Sequence, residues 1–223
     1  MSRCGRLFLT TSIVNFSVNE KRKCNEMRGK KRNQDFTRRI SLIGLLTALT
    51  VVLSYIRIPV VSTVTVNLVL PIVVVGAILC GPFVGAWLTV IPAIISFPEA
   101  ALFMTYNLPG TVLTLILKGL LAGFVAGVVY EALAKKHPKG AVFASAVLAP
   151  IVNTGTFLLG CYVFIWPELV ELAAENGVGI GALLVGLAGI NFVVEMIINI
   201  VLCPALVRVI ELSKKKFPGF VKK

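Results

Sequence analysis

The chain has 223 residues, a formal net charge of +12, and a composition of 57% hydrophobic and 14% charged side chains. A water-soluble domain contains about 25% charged and 45–50% apolar residues. The composition therefore excludes an ordinary soluble enzyme and a disordered nucleic-acid-binding tail. The positions of the basic residues along the chain indicate whether their excess belongs to a membrane protein or to a nucleic-acid-binding one.

The basic residues cluster between long apolar stretches. Of the 22 Lys and Arg residues, 11 lie between residues 3 and 39, three between 135 and 139, and six between 208 and 223. The stretches between these clusters are long enough to cross a bilayer as helices, which takes about 20 residues each. The sequence therefore predicts an integral membrane protein whose surroundings are the lipid bilayer, with no nucleic-acid partner.

The apolar pattern predicts an all-α membrane fold, a bundle of six transmembrane helices. In chain order the helices cover about residues 40–55, 68–80, 82–97, 111–130, 141–166 and 181–206. Alternation places both termini, the Gly81-Pro82 turn and the 132–140 loop on one side, which then holds nearly all of the basic residues. The positive-inside rule makes this side cytoplasmic. We expect a multi-pass protein of the plasma membrane with cytoplasmic N and C termini.

Three regions are expected along the chain. Residues 1–36 read as a basic, disordered cytoplasmic tail, residues 37–212 as the six-helix membrane domain, and residues 213–223 as a second basic tail. The first 26 residues lack a clean signal-peptide core and cleavage site. Translation from Met27 is an equally weighted alternative for the start of the chain.

Catalytic and metal-binding motifs are missing from the sequence. It contains no G-x-x-x-x-G-K-[ST], H-E-x-x-H or G-x-S-x-G, so no ATP-binding P-loop and no hydrolase motif is present. The five cysteines form no C-x-x-C pair, and the single histidine, His137, lies in a basic turn. We therefore expect no disulfide framework, no metal site, no cofactor and no catalytic residues.

Small residues recur every four positions in two predicted helices. Gly119, Gly123 and Gly127 have this spacing in the fourth helix, and Gly44 and Ala48 have it in the first. Such faces let helix backbones approach closely in lipid. For the fourth helix, packing inside the protein is favoured over docking on another membrane subunit.

Ionisable and amide side chains lie within the predicted spans, where they are energetically costly. Lys118 lies in the fourth helix, Asn153 in the fifth, and Asn191 and Glu195 on one face of the sixth. One hypothesis is a buried Lys118–Glu195 ion pair, with asparagines bridging helices. The other is a polar cavity, open to the outside, in which these groups bind a solute.

Residues of the predicted outer loops could complete such a cavity. The candidates are Arg57, Asn67, Glu99, Tyr106 and Asn107, an aromatic and hydrogen-bonding mixture suited to a small organic ligand. Arg57 is the only basic residue on that side, so an anionic group of a ligand could find it. Arg57 and Glu99 could equally be solvated loop residues without a role.

The layout resembles the substrate-binding S component of energy-coupling factor (ECF) vitamin transporters. The resemblance covers about residues 36–212. It rests on the six helices, the basic N-tail, the small-residue motif of the first helix and the turn Gly81-Pro82-Phe83-Val84-Gly85-Ala86. It implies a subunit that binds a vitamin or related micronutrient near the outer face. It also implies assembly with a transmembrane T component and two ATP-binding-cassette ATPases.

The resemblance also assigns a docking role to the first helix. The family's A-x-x-x-A motif, which contacts the T component, maps onto Gly44-Leu45-Leu46-Thr47-Ala48. The cargo stays open. A site with Lys118 and Arg57 would suit a carboxylate-bearing vitamin, whereas a Lys118–Glu195 pair would leave a nearly neutral site that suits a riboflavin-like ligand.

Two other functions remain as alternatives. A small proton-coupled secondary transporter could use Lys118 and Glu195 as its relay, although the sequence shows no convincing internal repeat of the kind common in such transporters. An integral-membrane enzyme or lipid-binding scaffold is the third possibility, with the lack of a catalytic constellation against it.

Overall fold

A computed structural model describes residues 36–56, 58–61, 64–66, 69–98 and 100–216 of the chain. The contacts between residues group the chain into two compact units, with the boundary after Leu42. Within the first unit, the described residues 36–42 are the opening turns of helix α1. The second unit, from Ile43 onward, contains the remaining elements and the candidate site.

The described part of the chain is helical except for a short hairpin. The helices are α1 (Phe36–Tyr55), α2 (Val69–Cys80), α3 (Pro82–Ile95), α4 (Ala101–Tyr106), α5 (Leu108–Leu133), α6 (Pro138–Phe164), α7 (Trp166–Glu175), α8 (Ile180–Leu184) and α9 (Ile190–Lys216). The hairpin is formed by β1 (Ile58–Val61) and β2 (Val64–Val66). A π-helical segment, Val185–Gly189, joins α8 to α9.

Four of the described helices are long and apolar enough to cross a membrane, by length and composition. They are α1, α5, α6 and the Ile190–Leu212 part of α9. The apolar helices α2 and α3 are shorter, with 12 and 14 residues. The six predicted apolar segments are thus mainly helical, which confirms the helical fold class.

The turn between α2 and α3 is sharp because of two adjacent residues. Gly81 has φ of 104°, a left-handed conformation that glycine adopts without a steric penalty. Pro82 follows as the first residue of α3, where its fixed φ suits a helix start and its missing N–H is not needed. The sequence therefore ends α2 and starts α3 within two residues.

Three predicted connections contain regular structure that the apolar pattern did not indicate. The connection predicted to follow the first span holds the antiparallel hairpin, in which Ile58 pairs with Val66. The predicted loop 97–109 contains α4, and the connection between the last two spans contains α7. Valine and threonine dominate the hairpin segment, and these β-branched residues favour strands.

The last predicted span is also not one continuous α-helix. Residues 185–189 form a π-helix, in which the N–H of Ile190 donates to the carbonyl of Val185. A π-segment shifts the register of the helix that follows it and often lies near a functional site. The polar face of α9 begins directly after this π-helical segment.

Helices α3 and α5 pack with their backbones in contact. A Cβ atom on Gly119 would lie 2.8 Å from the carbonyl oxygen of Thr89, and one on Gly123 would overlap the carbonyl group of Gly85. Gly127 lies equally close to the first turn of α3. Only glycine permits this approach, so the predicted internal packing role of the α5 glycines is confirmed.

One face of α1 is buried in the second unit. Leu46, Thr50 and Ser54 follow one another at four-residue spacing and are all buried. The Thr50 hydroxyl donates to the carbonyl of Leu46 at 2.8 Å, and the Ser54 hydroxyl donates to that of Thr50 at 2.7 Å. The backbone of α1 itself therefore accepts a hydrogen bond from each of these hydroxyls.

Candidate functional site

A small apolar pocket lies between α4, α5 and α6. Its walls are Ala100, Phe103, Gly110, Thr111, Thr114, Leu115, Phe157, Gly160, Cys161, Phe164 and Ile165. The cavity volume is about 20 Å³, enough for roughly one water molecule. Ligand sites for small organic molecules occupy about 300–1,000 Å³. The cavity is therefore far smaller than a site for a small organic ligand.

Asn107 joins two helices at the end of the bundle where the pocket lies. This end is called here the pocket end. The Oδ1 of Asn107 accepts from the backbone N–H of Gly110 at 3.0 Å, which caps the start of α5. Its Nδ2 donates to the carbonyl of Phe164 at 3.1 Å, at the last turn of α6. The predicted ligand-binding amide of Asn107 is thus engaged in holding α5 against α6.

Glycines and threonines bring the pocket walls together. A Cβ atom on Gly110 would lie 2.7 Å from Cβ of Phe164, and one on Gly160 would overlap the side chain of Thr114. The hydroxyl of Thr111 donates to the carbonyl of Phe103 at 3.0 Å, which attaches α4 to α5. The pocket is narrow because its helices pack closely at these glycines.

Helices α7 and α8 cover the pocket end. Leu169 of α7 forms a buried cluster with Cys161 and Ile165. The partly buried residues packed on this cluster are Phe103, Phe157, Phe164, Ile180, Leu183 and Leu184. The same aromatic side chains therefore line the pocket and support its cover.

Lys118 lies beside the pocket. Its Nζ sits 5.1 Å from the centroid of the Phe157 ring, a cation–π arrangement, and it is close enough to Glu195 to interact with it electrostatically. Lys118 follows Thr111 and Thr114 at seven- and four-residue spacing, so all three share one face of α5. This face belongs to the pocket.

Glu195 and Lys118 face the same interior without direct contact. Glu195 is 4% exposed and interacts electrostatically with Lys118. Within the described ranges, however, the Lys118 nitrogen and the Glu195 oxygens do not approach to 4.0 Å. The two residues are neighbours, as the sequence indicated, and no close ion pair joins them.

The amides of α9 lie on the same face as Glu195. Asn199 is 1% exposed, and its Nδ2 donates to the backbone carbonyl of Glu195 at 2.9 Å. The Oδ1 atoms of Asn191 and Asn199 are buried and accept no hydrogen bond from the described part of the chain. Two acceptors and a carboxylate therefore line one buried stripe of α9.

The remaining predicted binding residues are distributed unevenly. Asn153 is half-buried on α6, and Tyr106 is exposed at the end of α4. Arg57, Asn67 and Glu99 lie outside the described residues. The structure thus brings Lys118 near Glu195, places Asn191 on the same face of α9 as Glu195, and assigns Asn107 a structural contact.

Sequence reasoning missed the aromatic part of the site. Phe103, Phe157 and Phe164 come from two helices and read as ordinary apolar residues of membrane spans. The sequence did carry one signal for a site in this region. Thr111, Thr114 and Lys118 share one helical face, and such polar residues are not expected on a face that contacts lipid. No comparable signal marked Phe103, since α4 was not predicted.

The small-residue face of α1 is open. Gly44 and Ala48 are both exposed, and a Cβ atom on Gly44 would meet nothing within 4 Å. The neighbouring apolar side chains Leu45, Leu49 and Val52 are exposed as well. This surface, called here the α1 face, lies opposite the buried stripe of Leu46, Thr50 and Ser54.

The family model for the substrate-specific component of ECF transporters matches residues 38–207. This match spans most of the chain, and the chain belongs to that family. No characterised protein and no solved structure matches the chain.

The family membership defines the general role. The chain is a substrate-specific, membrane-embedded component of an ECF transporter, and such components work with a T component and ATPases. The family is a class of transporter subunits and not a class of enzymes.

Proposed function

We propose that this chain captures a vitamin or related micronutrient with high affinity from outside the cell and hands it to an ATP-driven ECF complex. The family match carries this proposal. Two features of the structure support it. The pocket lies at one end of the bundle, where a ligand could enter from that side, and the α1 face offers a surface to a membrane partner.

We further propose that α1, α2, α3, α5, α6 and the α8–α9 segment cross the membrane. The α2 and α3 helices would span about 18 and 21 Å at 1.5 Å per residue, so the connections after α1 and α3 would complete their passage. The end with Lys135, Lys136 and Lys139 would be cytoplasmic by the positive-inside rule. Both termini would then be cytoplasmic, with residues 1–36 and 213–223 as tails outside a 37–212 membrane domain.

An aromatic pair supports this placement of the membrane boundary. Tyr162 and Trp166 pack edge to face at the pocket end, with ring centroids 5.1 Å apart, and Tyr162 is exposed. Tyrosine and tryptophan are enriched where the bilayer meets water. The acidic helix α7 would therefore begin at the outer surface of the plasma membrane.

The α1 face is the proposed docking surface for the T component. Gly44 and Ala48 leave a shallow strip in which a partner helix could approach the α1 backbone closely. The flanking leucines are exposed and apolar, which suits contact inside the bilayer. Burial of this strip by a partner would explain why Gly44 and Ala48 are exposed between apolar side chains.

Ligand capture requires the pocket to open. The closed cavity holds about one water, so α4 and the α7–α8 cover would have to move before a vitamin-sized molecule enters. Lys118, Asn153, Asn191 and Glu195 would meet the ligand from inside. Arg57, Asn67, Glu99 and Tyr106 would also bind the ligand, and Asn107 would hold α5 against α6.

The proposal is tested by isolating the protein from its native host in mild detergent, denaturing it, and identifying released small molecules by mass spectrometry. A stoichiometric micronutrient supports capture. In parallel, uptake of that compound is measured in cells that co-express the T component and the two ATPases. Uptake that survives loss of the ATPases but stops with a protonophore would contradict the proposal and favour the proton-coupled alternative.

A further inference from the structure

The formal charges of Lys118 and Glu195, which lie beside the pocket, sum to zero. Lys118 and Glu195 interact across the interior, and Glu195 is almost completely buried. With Lys118 protonated and Glu195 ionised, their formal charges cancel. A ligand that brings a net charge to this site would leave one buried charge uncompensated, which is strongly unfavourable.

The same groups have unused hydrogen-bonding capacity. The Lys118 ammonium carries three donors, its contact in the described residues is the face of the Phe157 ring, and Glu195 does not reach it. On α9, the buried Oδ1 atoms of Asn191 and Asn199 add two acceptors without partners in the described chain. A ligand would satisfy these groups if it presented a hydrogen-bond acceptor to the lysine on α5 and N–H or O–H donors to the acceptors on α9.

The pocket walls favour a flat, unsaturated body for such a ligand. Phe103 and Phe157 pack edge to face with ring centroids 6.0 Å apart, and Phe164 completes the aromatic lining. Aromatic rings prefer such edge or offset contacts with one another. A ligand ring that displaces Phe103 when α4 moves would make the same kind of contact with Phe157, directly beside Lys118.

The cover of the pocket end is acidic. Helix α7 carries Glu168, Glu171 and Glu175 within ten residues and no basic residue. A rim of one sign repels ligands of the same sign and lowers their local concentration. The rim and the interior therefore act in the same direction against a carboxylate- or phosphate-bearing ligand.

We infer that the substrate is a net-neutral, flat heterocyclic compound that presents a hydrogen-bond acceptor to Lys118 and donors to Glu195 and its neighbouring amides. This inference rests on the proposed function, because it names the substrate class of the same site. It decides between the two kinds of cargo that the sequence left open, against the carboxylate-bearing vitamin.

The test uses ring-matched probe pairs that differ in net charge. Dialysed protein is titrated with nicotinamide against nicotinate, riboflavin against flavin mononucleotide, and pyridoxine against pyridoxine phosphate, with Kd measured by calorimetry. The neutral member of at least one pair should bind about tenfold tighter or more than its anionic partner, since the anion leaves a buried charge unbalanced. Equal affinity, tighter binding of the anion, or no binding of any probe overturns the substrate class.

Glu195→Gln supplies the decisive variant. It leaves Lys118 as the single buried charge, so the preference for the neutral probe should shrink or reverse. Glu211→Gln is the matched control, because Glu211 pairs with Lys139 at 3.7 Å in an exposed ion pair and should leave the preference intact. An unchanged preference in Glu195→Gln contradicts the inference.

The double variant Lys118→Gln/Glu195→Gln guards against a folding defect in the single one. It restores a neutral interior and should restore the preference for the neutral probe, with weaker binding. A double variant that prefers the anion overturns the inference. Assembly with the T component is measured on the same samples, so a wrong substrate class with intact assembly is distinguished from failure of the proposed function itself.

Discussion

Two helices carry the same small-residue spacing and use it in opposite ways. On α5, Gly119 and Gly123 lie against the backbone of α3, and an added Cβ would meet main-chain atoms. On α1, Gly44 and Ala48 are exposed, and an added Cβ on Gly44 meets nothing within 4 Å. The spacing indicates that another helix can approach closely. The fold determines which helix does so.

The difference has a functional consequence. The α5 glycines are buried in the packing of α5 against α3 and have no free surface. The α1 face keeps its capacity for close packing unused within the described chain. Members of this family work inside a multi-subunit transporter, and we propose that the partner docks on this unused packing face.

The largest expected effect comes from filling the closed face. Gly123→Leu would drive a side chain into the carbonyl group of Gly85, and we expect a loss of about 3 kcal/mol or more in the free energy of unfolding, at the upper end for overpacking. Thermal unfolding in detergent measures it. Gly155→Leu is the control, because an added Cβ there meets nothing within 4 Å. If both variants unfold alike, the α3–α5 packing is wrongly described.

A second effect tests the interior pair near the pocket. Lys118→Met and Glu195→Gln should each destabilise the protein, and the double variant should lose less than the sum, with a coupling of about 1–2 kcal/mol. The reason is that each single change leaves a buried charge without its neighbour. A double-mutant cycle of thermal unfolding measures the coupling. Strict additivity would show that the two groups do not sense each other.

A smaller effect is expected at the pocket frame. Asn107→Ala removes the cap of α5 and the bond to Phe164, and we expect a loss of about 1 kcal/mol, typical of a helix N-cap. Its measurement is again thermal unfolding, compared with Asn176→Ala, whose side chain bonds only within its own exposed turn. A change in Kd without a change in stability would instead assign Asn107 to the ligand.

The positions of the apolar helices could be predicted closely from the sequence. The ends of α1 at Tyr55 and of α2 at Cys80, and the start of α3 at Pro82, are the predicted ones. These boundaries are local, since they depend on hydropathy and on the Gly-Pro dipeptide. The sequence also indicated that Lys118 and Glu195 lie at similar depth, because depth follows from residue counting along a helix.

The cover and the aromatic pocket could not be predicted in the same way. Helix α7 is short and amphipathic, and its helical form depends on burying Leu169 and Ala173 against other elements. Phe103 becomes a pocket residue only because α4 folds onto α5. Both features arise from contacts between distant segments, which the pattern of a single segment does not contain.

The most direct test of the account fills the open face. Gly44→Leu/Ala48→Leu is co-expressed with a tagged T component and both ATPases, beside the wild type and Gly155→Leu, and each chain's co-purification and melting temperature are measured. The account predicts a variant that melts like the wild type but no longer co-purifies, while Gly155→Leu assembles normally. Normal assembly of Gly44→Leu/Ala48→Leu would contradict the docking role of the α1 face.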